Sequence, residues 1–355
     1  MKIVILGLSL TSSWGNGHAT TFRGLVRGLS ARGHDVLFLE RDLPWYAENR
    51  DLPHPPWGRT VLYADKAELQ RYAGEVQSAD AVIVGSYVPD GIAVGQWVQR
   101  TARGLRAFYD IDTPVTLAAV DRGACEYLLP ALIPQYDLYL SFAGGPTLTR
   151  LENQYGSPCA RPLYCSVDPA LYFPEDVPPE YDLGYMGTYS ADRQPPLETL
   201  LLEPARRWPE GRFAVAGPQY PDDIWWPANV SRTEHLPPEQ HRAFYSAQKF
   251  TLNITRADMV AMGYAPSVRL FEAAACGVLI ISDAWEGLGT FFQIGTEILT
   301  AQSPEDVLAI LQETPDAVRN LIAAQARARV LEAHTAAHRA AELESYLQTT
   351  ERTQT

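Results

Sequence analysis

Residues 266–282, PSVRLFEAAACGVLIIS, join a helix start suited to an anion, an arginine–glutamate pair and a core strand. Pro266 and Ser267 are start signals, since proline suits the first helical turn and serine can cap free amides. Val268, Phe271, Ala274 and Ala275 form one apolar face at helical spacing, and Gly277 ends the helix before the strand-like VLII. Amides at Ser267 and Val268 would turn their positive dipole toward a phosphate. Arg269 and Glu272, three residues apart, share a face. One can meet a phosphate while the other accepts hydrogen bonds from hydroxyls; a plain strand–helix unit with a surface ion pair has the same spacing.

Other chemistry-bearing residues sit in loops that follow strand-like runs. In residues 9–18, SLTSSWGNGH, Gly15 and Gly17 let backbone approach a ligand and His18 stands at a helix start. His18 is a candidate base or hydrogen-bonding group, with packing as the alternative. The glycine spacing departs from G-x-G-x-x-G, because Thr20 holds the third position. In residues 108–114, FYDIDTP, Asp110 and Asp112 point the same way if the strand continues. They can hold a divalent metal, or divide into one ligand-facing carboxylate and one turn cap; Asp112 is the preferred ligand-facing member. Arg193 in GTYSADR and Arg256 in TRADMVAM are phosphate candidates, and Gln219 lies in GPQY, whose backbone can read a nucleobase. Arg193, Arg256 and Arg269, each beside a strand end, make a phosphate pocket together more readily than singly. Trp225 and Trp226 can line a sugar site or cover the core, the latter being preferred, and the pair His334 and His338 is read as packing or surface, since Thr335 stands where a metalloprotease needs glutamate.

The elements that must position these residues alternate. KIVILGL, DVLFLE, ADAVIVGS, LRAFYDI, YDLYLSF and RPLYCS read as strands separated by helices, which predicts a parallel sheet covered on both faces. Residues 167–180, VDPALYFPEDVPPE, are rich in proline and acid and read as a linker. The alternation restarts with DLGYMG, RFAVAGP, FTLNIT, the 266–282 unit and EILTA, with helices near 197–208 and 238–248 and a helical tail from Pro304. Residues 349–355 are expected to fray. Two doubly wound domains follow, with ligands expected beyond the carboxyl ends of the strands and in a cleft between the sheets.

The 355 residues suit two domains, and 46% hydrophobic with 20% charged residues is ordinary globular composition. A net charge of −13 argues against a sequence-independent grip on nucleic acid or anionic lipid. No run reaches the roughly twenty apolar residues of a membrane span. The MKIVILGLSL start leads into a glycine-rich loop rather than a cleavage site, so a cytoplasmic protein is expected. Cys125, Cys159, Cys165 and Cys276 show no CxxC spacing and read as reduced thiols. Glu40, ending the second strand, keeps a dinucleotide-dependent oxidoreductase as a rival reading.

The motif PSVRLFEAAACGVLIISD, with SWGNGHATTFRGL, FYDIDTP, LNITRADM and the tail HTAAHRAAELE, resembles the GT-B glycosyltransferases, most closely the CgeB-like spore maturation group. The resemblance spans nearly the whole chain. It implies an α/β protein of GT-B architecture: two Rossmann-like doubly wound parallel-sheet domains, 1–166 on the acceptor side and 167–333 for the nucleotide sugar. A C-terminal helix, 334–355, would cross back to the first domain. It further implies transfer of a sugar from a nucleoside diphosphate sugar to an acceptor, with no cofactor and no obligatory metal. Glu272 matches the second glutamate of the retaining-type donor motif, which holds the ribose; the first would fall at 264, where this chain has Tyr264. That departure leaves retention and inversion both open. Arg193 resembles one of the family's basic pair and Arg256 stands for its usual lysine. The expected donor set is thus Gly15, Gly17, Arg193, Gln219, Arg256, Ser267, Val268, Arg269 and Glu272, with His18 or Asp112 orienting the acceptor or taking its proton. A protein that binds nucleotide sugar, or docks in a surface assembly, without turnover is the alternative reading.

Overall fold

The computed structural model describes residues 1–354 and the side chains of residues 1–350. The chain divides into two compact units, Met1–Ser166 with the segment from Ala336 onward, and Val167–Thr335.

The first unit holds β1 (Lys2–Gly7), β2 (Asp35–Arg41), β3 (Arg59–Tyr63), β4 (Ala81–Gly85), β5 (Leu105–Asp110), β6 (Leu138–Ser141) and β7 (Ala160–Pro162) in one seven-stranded sheet of order β3-β2-β1-β4-β5-β6-β7. All its pairings are parallel. Ile3, Val4, Ile5 and Leu6 are fully buried in succession, so β1 faces apolar layers on both sides. The order reverses direction between β1 and β4, the crevice where such sheets take ligands.

The second unit holds β8 (Tyr181–Met186), β9 (Phe213–Ala216), β10 (Val230–Thr233), β11 (Gln248–Asn253), β12 (Leu279–Ser282) and β13 (Leu299–Thr300), ordered β10-β9-β8-β11-β12-β13 and again parallel throughout. Its switch point lies between β8 and β11. β3 and β10 are edge strands whose sequences, RTVLY and VSRT, lack the continuous apolar run that marks a buried strand, and sequence reading passes over both.

The last helix, Ala336–Gln354, belongs to the first unit. It lies on the helix His18–Ala31 at a close approach: a Cβ at Gly28 would stand 2.7 Å from Ala340 Cβ, and one at Gly24 2.9 Å from Ala336 Cβ. Leu343 and Leu347 of this helix are buried in the first core, each worth about 1.5–3 kcal/mol. Its backbone stays helical through Gln354, so the fraying expected from 349 is not seen there; Thr355 lies outside the described residues. The boundary falls two residues later than the sequence suggests. His334 and Thr335 stay with the second unit because Val167 N–H donates to the His334 carbonyl at 3.1 Å and the His334 ring stacks on Phe271 at 4.7 Å.

Candidate functional site

The second unit gathers arginines at its switch point. β8 ends at Met186, and the following loop brings Arg193 back toward the strand ends. Arg193 is 8% exposed; its Nε donates to Ser190 Oγ at 2.9 Å and an Nη donates to the Thr188 carbonyl. Arg269, on the helix Val268–Ala275, turns inward and donates to the Met186 and Ile254 carbonyls at 3.3 and 3.1 Å, at the carboxyl ends of β8 and β11. Its buried Nε has no partner, and neither has the hydroxyl of Tyr185, whose ring lies 5.8 Å from the guanidinium. Among the described residues neither arginine meets a carboxylate in an ion pair. Burial, followed by the charges of Arg269 and Arg256, pushes the Arg193 guanidinium below its ordinary pKa. Like charges held together out of water are unfavourable until an anion offsets them.

The backbone here is built for close approach. A Cβ at Gly187 would stand 2.6 Å from Tyr185 Oη and 3.0 Å from Arg269 Nη1, and one at Gly217 2.0 Å from the Gly187 carbonyl. Arg256 is exposed, and its neighbours fix the loop: Asp283 accepts from Thr255 N–H and Oγ1, and Asp192 accepts from Ala257 N–H at 2.9 Å. Ser267 is the N-cap residue of Val268–Ala275, yet its side chain makes no capping bond, unlike Ser303, whose hydroxyl accepts from Asp306 N–H. Val268 follows at the helix start. Gln219 is exposed with φ +69°, and beside it Tyr220 donates to the Gly187 carbonyl at 3.1 Å and stacks against Arg232 at 4.3 Å.

Glu272 sits one turn beyond Arg269. It is 5% exposed and its Oε2 accepts from the Tyr245 hydroxyl at 3.3 Å; Tyr172 is a further hydroxyl partner. A surface Arg–Glu pair is therefore not what this helix makes: the arginine binds strand-end carbonyls and the glutamate binds tyrosines. Tyr264, at the position of the missing glutamate, has φ +49°, donates its N–H to the Glu286 carbonyl at 2.7 Å and packs its ring on Gly287.

In the first unit, His18 opens its helix beside Tyr87, the ring centroids 5.3 Å apart and edge-on. Tyr87 follows β4 and is held at φ +60°, a conformation uncommon for a bulky side chain. Its hydroxyl donates to Asp112 Oδ2 at 3.3 Å. The three residues thus come from the ends of β1, β4 and β5. Burial lowers the His18 pKa from 6.5 to about 4, so the ring is neutral at physiological pH, and its buried Nδ1 has no partner. Asp110 is fully buried, accepting from Thr116 Oγ1 and the Tyr139 hydroxyl at 2.6 Å each, and burial raises its pKa to about 6. Asp110 is the structural member of the pair and Asp112 the partly exposed one, so the two do not form a paired metal site. Tyr87 and Tyr185 escape sequence reading; only their positions at strand ends would have flagged them.

Several expectations need correction. At Gly15 and Gly17 a Cβ would meet no protein atom within 4 Å, so both face open space, and Gly15 holds a φ of +65° that favours glycine. Glu40 is fully buried and accepts from Ser9 Oγ, Leu10 N–H, Thr11 N–H and Thr11 Oγ1. Its oxygens hold the first loop, which leaves none for a ribose and removes the ground for a dinucleotide site. Trp226 packs on Tyr220, but Trp225 is 64% exposed under Arg206 and covers no core.

The glycosyl transferase-like family matches residues 193–345. Among curated protein sequences none matches the chain. The fold is similar, over 98% of this chain, to sucrose-phosphate synthase of Thermosynechococcus elongatus, with a TM-score of 0.69, 14% identity and 98% of that chain covered. It is similar over the same share to HepE of Anabaena in complex with UDP and glucose, with a TM-score of 0.70, 12% identity and 100% of that chain covered. AviGT4, a glycosyltransferase involved in avilamycin A biosynthesis, matches with a TM-score of 0.62, 14% identity, and 98% and 97% of the two chains covered. The chain therefore has the GT-B fold of two Rossmann-like parallel-sheet units, and residues 193–345 of it carry a glycosyl transferase-like sequence.

Proposed function

We propose that the protein is a glycosyltransferase that moves a sugar from a nucleoside diphosphate sugar to an acceptor hydroxyl, without a required metal or cofactor. The observation that carries the reading is the pair of inward-turned guanidiniums, Arg193 and Arg269, left without carboxylates at the β8/β11 switch point. A diphosphate supplies the charge that this cluster lacks. In the reaction the bond from the anomeric carbon to the diphosphate oxygen breaks, and its electron pair leaves with the diphosphate. Arg193, Arg256, Arg269 and the Ser267–Val268 end of the helix stabilise that charge as it develops. Glu272 positions the donor ribose, and Gln219 and its neighbours face the base. The acceptor oxygen bonds to the anomeric carbon, and its proton goes to neutral His18 or to Asp112.

HepE, similar in fold, is known in complexes with UDP and with UDP-glucose, which makes UDP-sugars the first donors to test. The CgeB-like assignment, a retaining-type donor motif and a cytoplasmic site of action are part of the same reading and rest on sequence motifs. Among the described residues no helix is long and apolar enough to cross a membrane. Calorimetry with UDP and UDP-glucose, followed by a donor hydrolysis assay, tests the proposal. Binding with slow release of glucose is expected. Binding with no turnover gives the non-catalytic nucleotide-sugar reading, and no binding of any nucleoside diphosphate ends both.

A further inference from the structure

We infer that Tyr185 is a positioning residue for the donor's diphosphate: its hydroxyl is the neutral acceptor on which the Arg269 guanidinium settles when it turns from the strand ends to the phosphates. This rests on the transferase reading and adds to it a residue that touches no substrate and acts through Arg269. Tyr185 stands one residue before the end of β8 and is 1% exposed, in the same core cluster as Phe213 and Val215. A phenyl ring would fill that place equally well. The hydroxyl is nevertheless there, buried and without a hydrogen-bond partner, an arrangement that is unfavourable in the fold by itself.

The oxygen lies at the arginine. A Cβ at Gly187 would stand 2.6 Å from Tyr185 Oη and 3.0 Å from Arg269 Nη1, so phenol and guanidinium flank one point, and glycine leaves both where they are. Arg269 has the matching deficiency, a buried Nε–H with no acceptor. Its Nη groups reach the Met186 and Ile254 carbonyls at 3.3 and 3.1 Å. Those bonds are long beside the ~2.7–2.9 Å of a guanidinium on an anion. A phosphate oxygen therefore competes well for the same donors. As the guanidinium turns it gives up carbonyl contacts, and the phenol oxygen, which can accept as well as donate, is the acceptor beside it. Charge explains why a phenol suits the task. A carboxylate at this point would pair with Arg269 and cancel the charge that a diphosphate needs. A phenol orients the guanidinium and leaves its charge in place.

The test is a double-mutant cycle on the full chain, read by calorimetry with whichever of UDP, ADP, GDP and dTDP the unsubstituted chain binds. The variants are Tyr185→Phe, Arg269→Gln, Arg193→Gln, and Tyr185→Phe combined with each arginine change. Tyr185→Phe should weaken nucleotide binding about tenfold. Its Tm without nucleotide should stay level or rise, because the group removed has no partner in the free chain. In the Arg269→Gln background the same change should cost about twofold or less, since its effect passes through that guanidinium, while in the Arg193→Gln background it should keep its full cost. Unchanged affinity in Tyr185→Phe overturns the inference. So does a loss that persists at full size without Arg269, or a fall in the Tm of the nucleotide-free chain, which would make the hydroxyl a structural group. An unsubstituted chain that binds none of the four nucleotides counts against the transferase reading, and the inference falls with it.

Discussion

The two units share a strand order and carry their candidate groups at the same end of their sheets, yet they treat charge in opposite ways. In the first unit three carboxylates near the loops are closed on partners. Glu40 is filled by the Ser9–Thr11 backbone and hydroxyls, Asp51 by Arg23 and Ser13, and Asp42 by Arg50. The group left over is a histidine that burial keeps neutral. In the second unit Arg193 and Arg269 donate to hydroxyl and carbonyl oxygens, and among the described residues neither forms an ion pair with a carboxylate. One strand order thus carries a first unit whose loop carboxylates are closed on partners and a second whose strand ends gather arginines. The chemistry lies in the residues grafted onto strand ends and not in the sheet.

The sharpest way to break this contrast is at Arg193. If the uncompensated charge stabilises a leaving diphosphate, Arg193→Ala lowers kcat by about 100- to 1,000-fold. Steady-state kinetics with a UDP-sugar donor measure it. A turnover within a few-fold of the unsubstituted chain would move the phosphate elsewhere and erase the difference between the units.

The neutral side gives a smaller effect with a pH signature. His18→Ala is expected to reduce kcat/KM by about 100-fold if the ring takes the acceptor proton. A base works deprotonated, and burial places this ring's pKa near 4 rather than 6.5. Activity of the unsubstituted chain should therefore stay level from pH 8 down to about 5 and fall only as pH drops through 4. A break near 6.5 would mean that His18 is solvated during turnover. An intact rate in His18→Ala would leave Asp112, held by Tyr87, as the proton acceptor.

How much of this contrast is legible in sequence depends on what each residue's role requires. Arg193 can be read because a strand end and a short loop fix where it must lie. The parallel sheets can be read because their central strands are apolar on both faces. The inward turn of Arg269 is hidden, since helical spacing puts it beside Glu272 and only the carbonyls of Met186 and Ile254 decide which way it points. Tyr87 is hidden for a similar reason: its value comes from His18 and Asp112, which are 69 and 25 residues away in the chain. Asp110 and Asp112 look equivalent in FYDIDTP, and only the buried Thr116 and Tyr139 hydroxyls separate them. Burial of a polar group on a distant partner has no local signature.

The finest test concerns how the first unit holds its loop. Asp51 accepts two bonds from Arg23, each at 2.8 Å, together with the Ser13 N–H and hydroxyl. Burial alone would raise its pKa, but these bonds outweigh it and bring the carboxyl from 3.8 down to about 2. A depressed carboxylate contributes stability above its unfolded pKa and loses it as pH falls through the folded value. The side chain is 45% exposed, so water screens the pair, and Asp51→Asn should cost only about 1 kcal/mol or less. That corresponds to a drop in Tm of about 2–4 °C. The gap between the melting temperatures of Asp51→Asn and the unsubstituted chain should hold steady from pH 8 to about 5 and then narrow toward pH 3, because the charge that distinguishes them is being neutralised. A gap that persists unchanged at pH 3 would show that shape, not charge, anchors the loop, and the contrast between carboxylate-held and uncompensated strand ends would lose its first half.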